Sequence, residues 1–395
     1  MKNCLPDEIV DLFQDKLSLI EEDVVSFDME NCLPDEIVDI FRDKLSCIED
    51  VVSFGSVCKS WQQSYETWKK MHIPFAPWLM LTNYDNHQAL QTYYSLSTKR
   101  IFNIPLPQTQ IQGRRCVGSR FGWLVTIGVD LQIHMLNPIS QLQISLPSQP
   151  TFPNQFQERL EPEELRRHFV YKFILSSNPS NSDQPCFVMA INASLRKLAF
   201  AKPGDEAWTS IDCPASWYFD AVFFDGQFYA FNGNGDLVVC EINKPHPKAT
   251  KIASPPEDIR LSNRYYLVEM LGVLHLVERG IDAAENPPRG QFYYTTCYFQ
   301  VYKFDSRTSS WTELSDLGDH ALFLGNNTSF AVSTSNYPEF KSNCIYFTDD
   351  HIELYESPFC DMGIYDFETA TIEPIYVGDY VLTKFSRPLF IMPSA

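Results

Sequence analysis

Residues 223–242 read FFDGQFYAFNGNGDLVVCEI. Aromatic and β-branched residues fill two short runs, Phe223–Phe231 and Asp236–Ile242, and glycines interrupt them at Gly226, Gly233 and Gly235. Such side chains suit a pleated surface, and the glycines suit tight turns between antiparallel strands. The FNGNGD segment contains Gly-x-Gly. It lacks a third glycine and no helical pattern follows, so a hairpin turn is expected there rather than a phosphate cradle.

The same rhythm extends in both directions. Upstream, Phe121–Thr126 (FGWLVT) is followed by Leu131–Leu136 (LQIHML), Asn137-Pro138 and Gln143–Pro147 (QISLP). Downstream, Met270–Val277 (MLGVLHLV) is followed by Phe299–Asp305 (FQVYKFD) and Trp311–Leu314 (WTEL). Each unit reads as strand, glycine turn, strand, loop, strand, and a last strand near Trp or Pro. Units of roughly 35–50 residues fall in the range of propeller blades. Six are marked: 76–106, 114–147, 168–212, 217–254, 264–315 and 319–376. Two interruptions stand out. Residues 148–167 are polar and proline-rich, with a short charged helix expected at Glu161–Arg167, and 280–290 (GIDAAENPPRG) reads as an exposed loop. Each is open to two readings, a partner contact or a spacer.

Before residue 76 the periodicity is helical. Residues 33–61 read LPDEIVDIFRDKLSCIEDVVSFGSVCKSW. Ile37, Ile40, Phe41, Leu45 and Ile48 recur at spacings of three and four and line one face. Pro34 suits a helix start, and Asp35 and Glu36 place negative charge where the helix dipole favours it. Val51, Val52 and Phe54 form a second apolar segment. Gly55-Ser56 offers a turn and N-cap, and Val57, Trp61, Tyr65 and Trp68 mark a third helix. Three short helices have little surface to bury alone and need a partner. Most of this string occurs once before: Asn3–Glu21 differs from Asn31–Glu49 only at Leu12/Ile40, Gln14/Arg42 and Leu19/Cys47. The first copy stops at Phe27 and lacks the Val-Cys-Lys-x-Trp half. It admits three readings: a spare helix, a competitor for the third helix, or a segment without a role in the cell.

The second copy resembles an F-box, on Leu33, Pro34, Glu36 and Ile37 followed by Val57, Cys58, Lys59 and Trp61. The resemblance implies docking of an amphipathic surface on a Skp-type adaptor, and through it on a cullin. By carry-over the adaptor-binding anchors are Leu33, Pro34, Ile37, Leu45, Val51, Phe54, Val57, Cys58 and Trp61. For Trp61, Phe41 and Ile40 the three-helix core is the competing assignment, whereas Leu33 and Pro34 lie off the helix face and point to partner contact. From about residue 76 onward the chain resembles plant F-box proteins of the KIB type, whose C-terminal domain is described as a kelch-like β-propeller. The carrying residues are Pro77–Leu81 (PWLML), Gly118–Val125 (GSRFGWLV) with Leu136–Pro138 (LNP), Phe323–Phe330 (FLGNNTSF), Asn343–Asp350 (NCIYFTDD) and Met362–Phe367 (MGIYDF). The chain departs from standard kelch repeats in lacking Gly-Gly doublets, and from WD repeats in lacking the Trp-Asp pair. The expected fold is therefore α+β and multidomain. Residues 1–28 are a partial duplicate, 29–71 a small three-helix F-box, and 76–395 an all-β propeller of about six blades.

Composition narrows the function classes. Net charge is −19, and residues 1–54 hold 15 Asp/Glu against 4 Lys/Arg, a balance of −11. A nucleic-acid partner is not expected, because phosphate contacts need a positive footprint. No apolar run approaches a membrane span, and the acidic N-terminus lacks the charge pattern of a secretion signal. Eleven scattered cysteines without Cys-x-x-Cys read as reduced thiols in the cytoplasm or nucleus, so the sequons at Asn192, Asn326 and Asn327 carry no glycan expectation. The 29 Phe, 19 Tyr and 7 Trp predict a well-filled β core.

No catalytic residue, metal ligand or cofactor is expected. Asp349-Asp350-His351-x-Glu353 has metal-ligand residue types without a matching cluster and reads as a polar loop. Cys344 and Cys360 lack a visible base and read as core or edge thiols. His134 and His275 sit in strand patterns and read as packing residues. The resemblance implies a substrate-recognition subunit of a Skp–cullin–F-box ubiquitin ligase that holds an unidentified protein target without side-chain chemistry of its own. The alternative is a non-degradative scaffold or inhibitor that binds and blocks a target such as a kinase.

Overall fold

A computed structural model describes residues 76–81, 90–106, 113–118, 120–153, 160–181, 184–193, 195–213, 217–283, 294–350, 360–376 and 386–394. They belong to one compact unit, Ala76–Ala395. The three-helix head expected at 29–71 and the partial duplicate at 1–28 lie outside the described residues.

The strands follow the sequence rhythm. Blade 1 begins with β1 (Trp78–Met80), β2 (Leu90–Ser95) and β3 (Ile101–Pro105). Blade 2 is β4 (Arg115–Gly118), β5 (Leu124–Ile127), β6 (Ile133–Leu136) and β7 (Gln143–Leu146). A 3-10 turn at Gln149–Thr151 and helix α1 (Pro162–His168) lead to blade 3, made of β8 (Val170–Leu175), β9 (Val188–Asn192), β10 (Lys197–Ala201) and β11 (Thr209–Ser210). Blade 4 is β12 (Tyr218–Phe224), β13 (Gln227–Asn232), β14 (Leu237–Glu241) and β15 (Lys248–Ala253). Blade 5 is β16 (Arg264–Met270), β17 (Val273–Ala283), β18 (Tyr294–Asp305) and β19 (Ser310–Glu313). Blade 6 holds β20 (His320–Leu324), β21 (Phe330–Ser333), β22 (Cys344–Phe347), β23 (Gly363–Asp366) and β24 (Thr371–Glu373). The last strand, β25 (Leu389–Ile391), pairs with β1 and completes blade 1. The result is a six-bladed β-propeller.

Blades 2 to 5 are plain antiparallel meanders. Turn chemistry explains their regularity. Asp225 and Gly226, between β12 and β13, both have positive φ (46° and 75°), the conformation that suits the twist of a two-residue hairpin. The FNGNGD segment is the β13–β14 hairpin, as its composition predicts, with Asn232 Oδ1 accepting from the amides of Asn234 and Asp236 at 2.9 Å each. Blade 6 departs from the pattern. Its order is β21-β20-β22-β23-β24, and β20 runs parallel to β22.

The strands β25, β4, β8, β12, β16 and β21 are successive neighbours around the axis. Their starts define a leading face and their ends a trailing face. Apolar side chains between blades form the core. Leu322, Leu324, Ile345 and Phe347 of blade 6 meet Val268, Phe299 and Val301 of blade 5. Phe323 of blade 6 stands edge-on to Phe390 of β25 with ring centroids 5.2 Å apart. Each such side chain contributes about 1.5–3 kcal/mol when fully buried.

Two expectations are corrected. The helix predicted at Glu161–Arg167 is displaced by one residue, with Glu161 at the N-cap and Pro162 opening it. The 280–290 segment is not all loop: Gly280–Ala283 continue β17, Gly280 is buried, and a Cβ on it would sit 2.1 Å from the Tyr298 ring. Residues 284–290 lie outside the described residues.

Candidate functional site at the propeller axis

The proposed adaptor anchors Leu33, Pro34, Ile37, Leu45, Val51, Phe54, Val57, Cys58 and Trp61 all lie outside the described residues. The site that can be built from side chains is on the axis of the propeller.

The axial space is crossed by the chain itself. Between β20 and β21, Asn326, Asn327, Thr328 and Ser329 are all buried. Thr328 donates through its amide to the Gly118 carbonyl of blade 2 at 3.3 Å, and through Oγ1 to the Phe173 carbonyl of blade 3 at 3.2 Å. Asn327 Oδ1 accepts from the Phe390 amide of blade 1 at 3.4 Å. Gly118 is a glycine for a steric reason: a Cβ there would lie 2.8 Å from Asn327 Cβ and 3.0 Å from its Cα. One segment of blade 6 therefore bonds to three other blades. Two of the three sequons fall in this plug and the third, Asn192, is buried in β9.

On the leading side of the plug, charged groups tie the blades together. Lys172 Nζ in β8 lies 2.6 Å from Asp220 Oδ1 in β12, and both side chains are buried. Asp220 also accepts from its neighbour Ala221 N at 2.8 Å and from Leu267 N of blade 5 at 2.9 Å. Both strands carry a register shift at this point, between Val170 and Lys172 and between Tyr218 and Asp220. A β-bulge re-aims the side chain that follows it, and here two bulges bring a cation and an anion together. Burial raises the Asp220 carboxyl above its usual range, against the opposing pull of Lys172. Arg115 in β4 donates to the Val170 carbonyl, linking blades 2 and 3.

The densest polar cluster joins blades 5 and 6. Arg279, fully buried in β17, donates from Nε to Thr296 Oγ1 (2.7 Å), from Nη1 to Thr348 O (2.9 Å) and Tyr266 Oη (3.1 Å), and from Nη2 to Asp361 Oδ2 (2.9 Å). Its guanidinium stands 4.6 Å from the centre of the Phe347 ring. Tyr266 donates to Asp350 at 3.0 Å, and Tyr294 donates to Asp349. Burial, reinforced by the Asp350 charge, holds the Tyr266 phenol well above its ordinary range. Asp349 and Asp350 lie in the connection after β22, as the polar-loop reading has it, and both are buried structural acids; His351 and Glu353 lie outside the described residues.

The other sequence candidates are core residues. Cys344 and Cys360 are buried, and burial raises both thiols, Cys344 to about 11. His275 is buried in β17, with its Nδ1 3.0 Å from the Val273 carbonyl, and His134 is partly buried in β6. Chemically the cluster pairs its acids and bases with each other and holds blades in place. Its hydroxyls are part of that pairing: Tyr266, Tyr294 and Thr296 each donate to a buried carboxylate, Asp350, Asp349 and Asp361 in turn.

Two open features remain. On the leading face, the Arg196 guanidinium lies 4.2 Å from the Tyr171 ring centroid and 5.9 Å from that of Trp217. On the trailing side, a cleft of about 430 Å³ runs between blades 3 and 4, lined by residues including Phe187, Phe223, Cys240 and Ile242. Sequence reading named neither, and it missed Lys172, Asp220 and Arg279. A signal existed for two of them: Lys172 and Asp220 are each a lone charge inside an apolar strand, VYKFIL and YFDAVFF, whereas Arg279 stands beside Glu278 in β17.

Comparison with known proteins agrees with this architecture. The chain is similar to three Arabidopsis thaliana proteins. F-box protein SKIP23 is 27% identical, covering 82% of this chain and 86% of the relative. Putative F-box protein At5g55150 is also 27% identical, covering 83% and 87%. F-box protein At2g17036 is 26% identical, covering 82% and 85%. Residues 93–366, spanning most of the six blades, match the KIB1-4 beta-propeller family. With six closed blades and that match over more than half its length, the chain belongs to the KIB1-4 beta-propeller family.

Proposed function

We propose that this protein is the substrate-recognition subunit of a Skp–cullin–F-box ubiquitin ligase. Residues 29–71 dock a Skp-type adaptor through Leu33, Pro34, Ile37, Leu45, Val51, Phe54, Val57, Cys58 and Trp61. The propeller holds a protein target close to the ubiquitin-charged enzyme. The observation that carries the reading is the order of parts: an F-box-like string precedes a six-bladed propeller, and F-box relatives match this chain over most of both lengths. Lys172, Asp220, Arg279 and Asp361 bond across blades, which fits a receptor that acts by tethering. Tethering raises the effective concentration of target at the transfer site and needs no nucleophile here.

Binding to a purified Skp-type adaptor tests the reading, with chains spanning 1–395, 29–395 and 72–395. The first two bind and the third does not. Replacing Leu33 and Pro34 together by Ala abolishes binding and leaves the propeller folded. Failure of all three chains to bind sinks the ligase reading and favours a scaffold that blocks its target. Weaker binding by 1–395 than by 29–395 identifies the first copy as a competitor.

A further inference from the structure

The leading face carries a guanidinium and exposed apolar side chains outside the polar ties described above. The turn from β9 to β10 places Ala193 and Arg196 in the left-handed region, with φ of 62° and 45°. That conformation is disfavoured for residues with a Cβ, and it turns Leu195 outward, 54% exposed. Arg196 folds back over Tyr171, near the start of inner strand β8, and faces Trp217, which immediately precedes inner strand β12. The group therefore sits between blades 3 and 4, beside the starts of their inner strands. Other exposed apolar residues share this face: Val129 in the β5–β6 turn, Leu160 ahead of α1, and Leu261 in the connection from β15 to β16.

Charge gives the patch a direction. The nearby acids are engaged. Asp220 is held by Lys172 and two amides, Asp350 by Tyr266 and Arg279, and Asp361 by Arg279 and Thr296. Arg196 is only part-buried and meets two rings but, among the described residues, no carboxylate. A stacked guanidinium keeps its edge N–H groups free, and that edge fits a carboxylate with two parallel bonds. On a chain of net charge −19, this is a cationic and aromatic patch with apolar neighbours. Arg, Trp and Tyr are also the residue types that carry most interface energy. The trailing cleft has no such surplus, since Lys244 on its rim is paired with Glu241.

We propose that the leading face at the junction of blades 3 and 4 receives the protein target. The target presents an Asp or Glu side chain to Arg196, with an apolar neighbour seated on Leu195 and Trp217. This rests on the receptor role proposed above.

The test uses the full chain with its Skp-type adaptor and three fluorescein-labelled peptides of equal length, alternating Leu with Glu, with Lys or with phosphoserine. Fluorescence anisotropy reads binding. The Glu peptide binds, and added salt weakens it. Arg196→Glu weakens it by about tenfold or more, the scale of a residue worth over 1 kcal/mol at an interface. Arg196→Lys retains part of the affinity, Leu195→Ser loses several-fold, and Leu271→Ser on the trailing face changes nothing. Thermal melting confirms that each variant is folded, and Arg196→Lys, which retains the charge, serves if Arg196→Glu is not. The proposal is overturned if the Lys peptide binds as well as the Glu peptide, if no peptide binds, or if Arg196→Glu has no effect. Preference for the phosphoserine peptide over the Glu peptide overturns the carboxylate assignment and transfers the site to a phosphorylated partner. Adaptor binding, measured on the same preparations, separates the two readings. Loss of peptide binding with intact adaptor binding sinks this proposal alone, whereas absence of adaptor binding sinks the receptor role.

Discussion

Asp220 accepts bonds that originate in three blades, from Lys172 of blade 3, Ala221 of its own blade and Leu267 of blade 5. Its removal leaves a buried ammonium without its counter-charge. Asp220→Ala is expected to cost about 3–5 kcal/mol, the range for breaking a buried pair from one side. Replacing both partners with apolar residues, Lys172→Met with Asp220→Leu, is expected to cost clearly less than Asp220→Ala alone. Urea unfolding of the three proteins checks the order, and an equal or larger loss in the double variant would show that the pair itself stabilises the fold. Part of this was legible in the sequence. A lone Lys in VYKFIL and a lone Asp in YFDAVFF already require partners, because an apolar strand buries both faces. The identity of the partner was not legible. It depends on two bulges, and in strands that are apolar on both faces the phase shift of an extra residue leaves no mark.

At the scale of the element, five of the six sequence units contain all the strands of one blade, because hairpins are local and their turn residues announce them; the unit 76–106 holds blade 1 without β25, which comes from the far end of the chain. The tryptophans near the last strands have a specific task. Trp208 donates from Nε1 to the Pro147 carbonyl, just beyond the outer strand of blade 2, at 2.9 Å. Trp311 donates in the same way to the Ser254 carbonyl, just beyond the outer strand of blade 4, at 3.0 Å. An outer Trp thus seals a blade to the one before it. Trp208 also stacks on Phe152 with centroids 4.4 Å apart and is buried. Trp208→Ala is expected to cost about 3–5 kcal/mol, and Trp208→Phe less, since the ring volume is largely kept. Thermal melting of the two variants tests this. The parallel pairing of β20 with β22 was not visible, because a strand's own pattern does not say which neighbour it takes.

At the scale of the molecule, the ring is closed twice, by the 326–329 plug and by β25. Phe390, buried in β25, meets the blade 6 aromatics through Phe323 and gives its amide to Asn327. Phe390→Ala is expected to destabilise the whole propeller by about 3–5 kcal/mol rather than loosen one blade. Hydrogen exchange would show the loss spread over all six sheets; confinement to blade 1 would mean that the blades hold without closure. The position of β25 also sets a clock. Its Ile391 pairs with Trp78, about 310 positions earlier. At about 5–20 residues per second, a ribosome needs roughly 15–60 s to make the chain between them. Throughout that interval the β1 edge that β25 will cover stays bare, an open template for a wrong strand. Each newly made copy therefore exposes a strand-pairing edge for that interval, and a chain ending before residue 389 is expected to keep that edge open and to aggregate more readily.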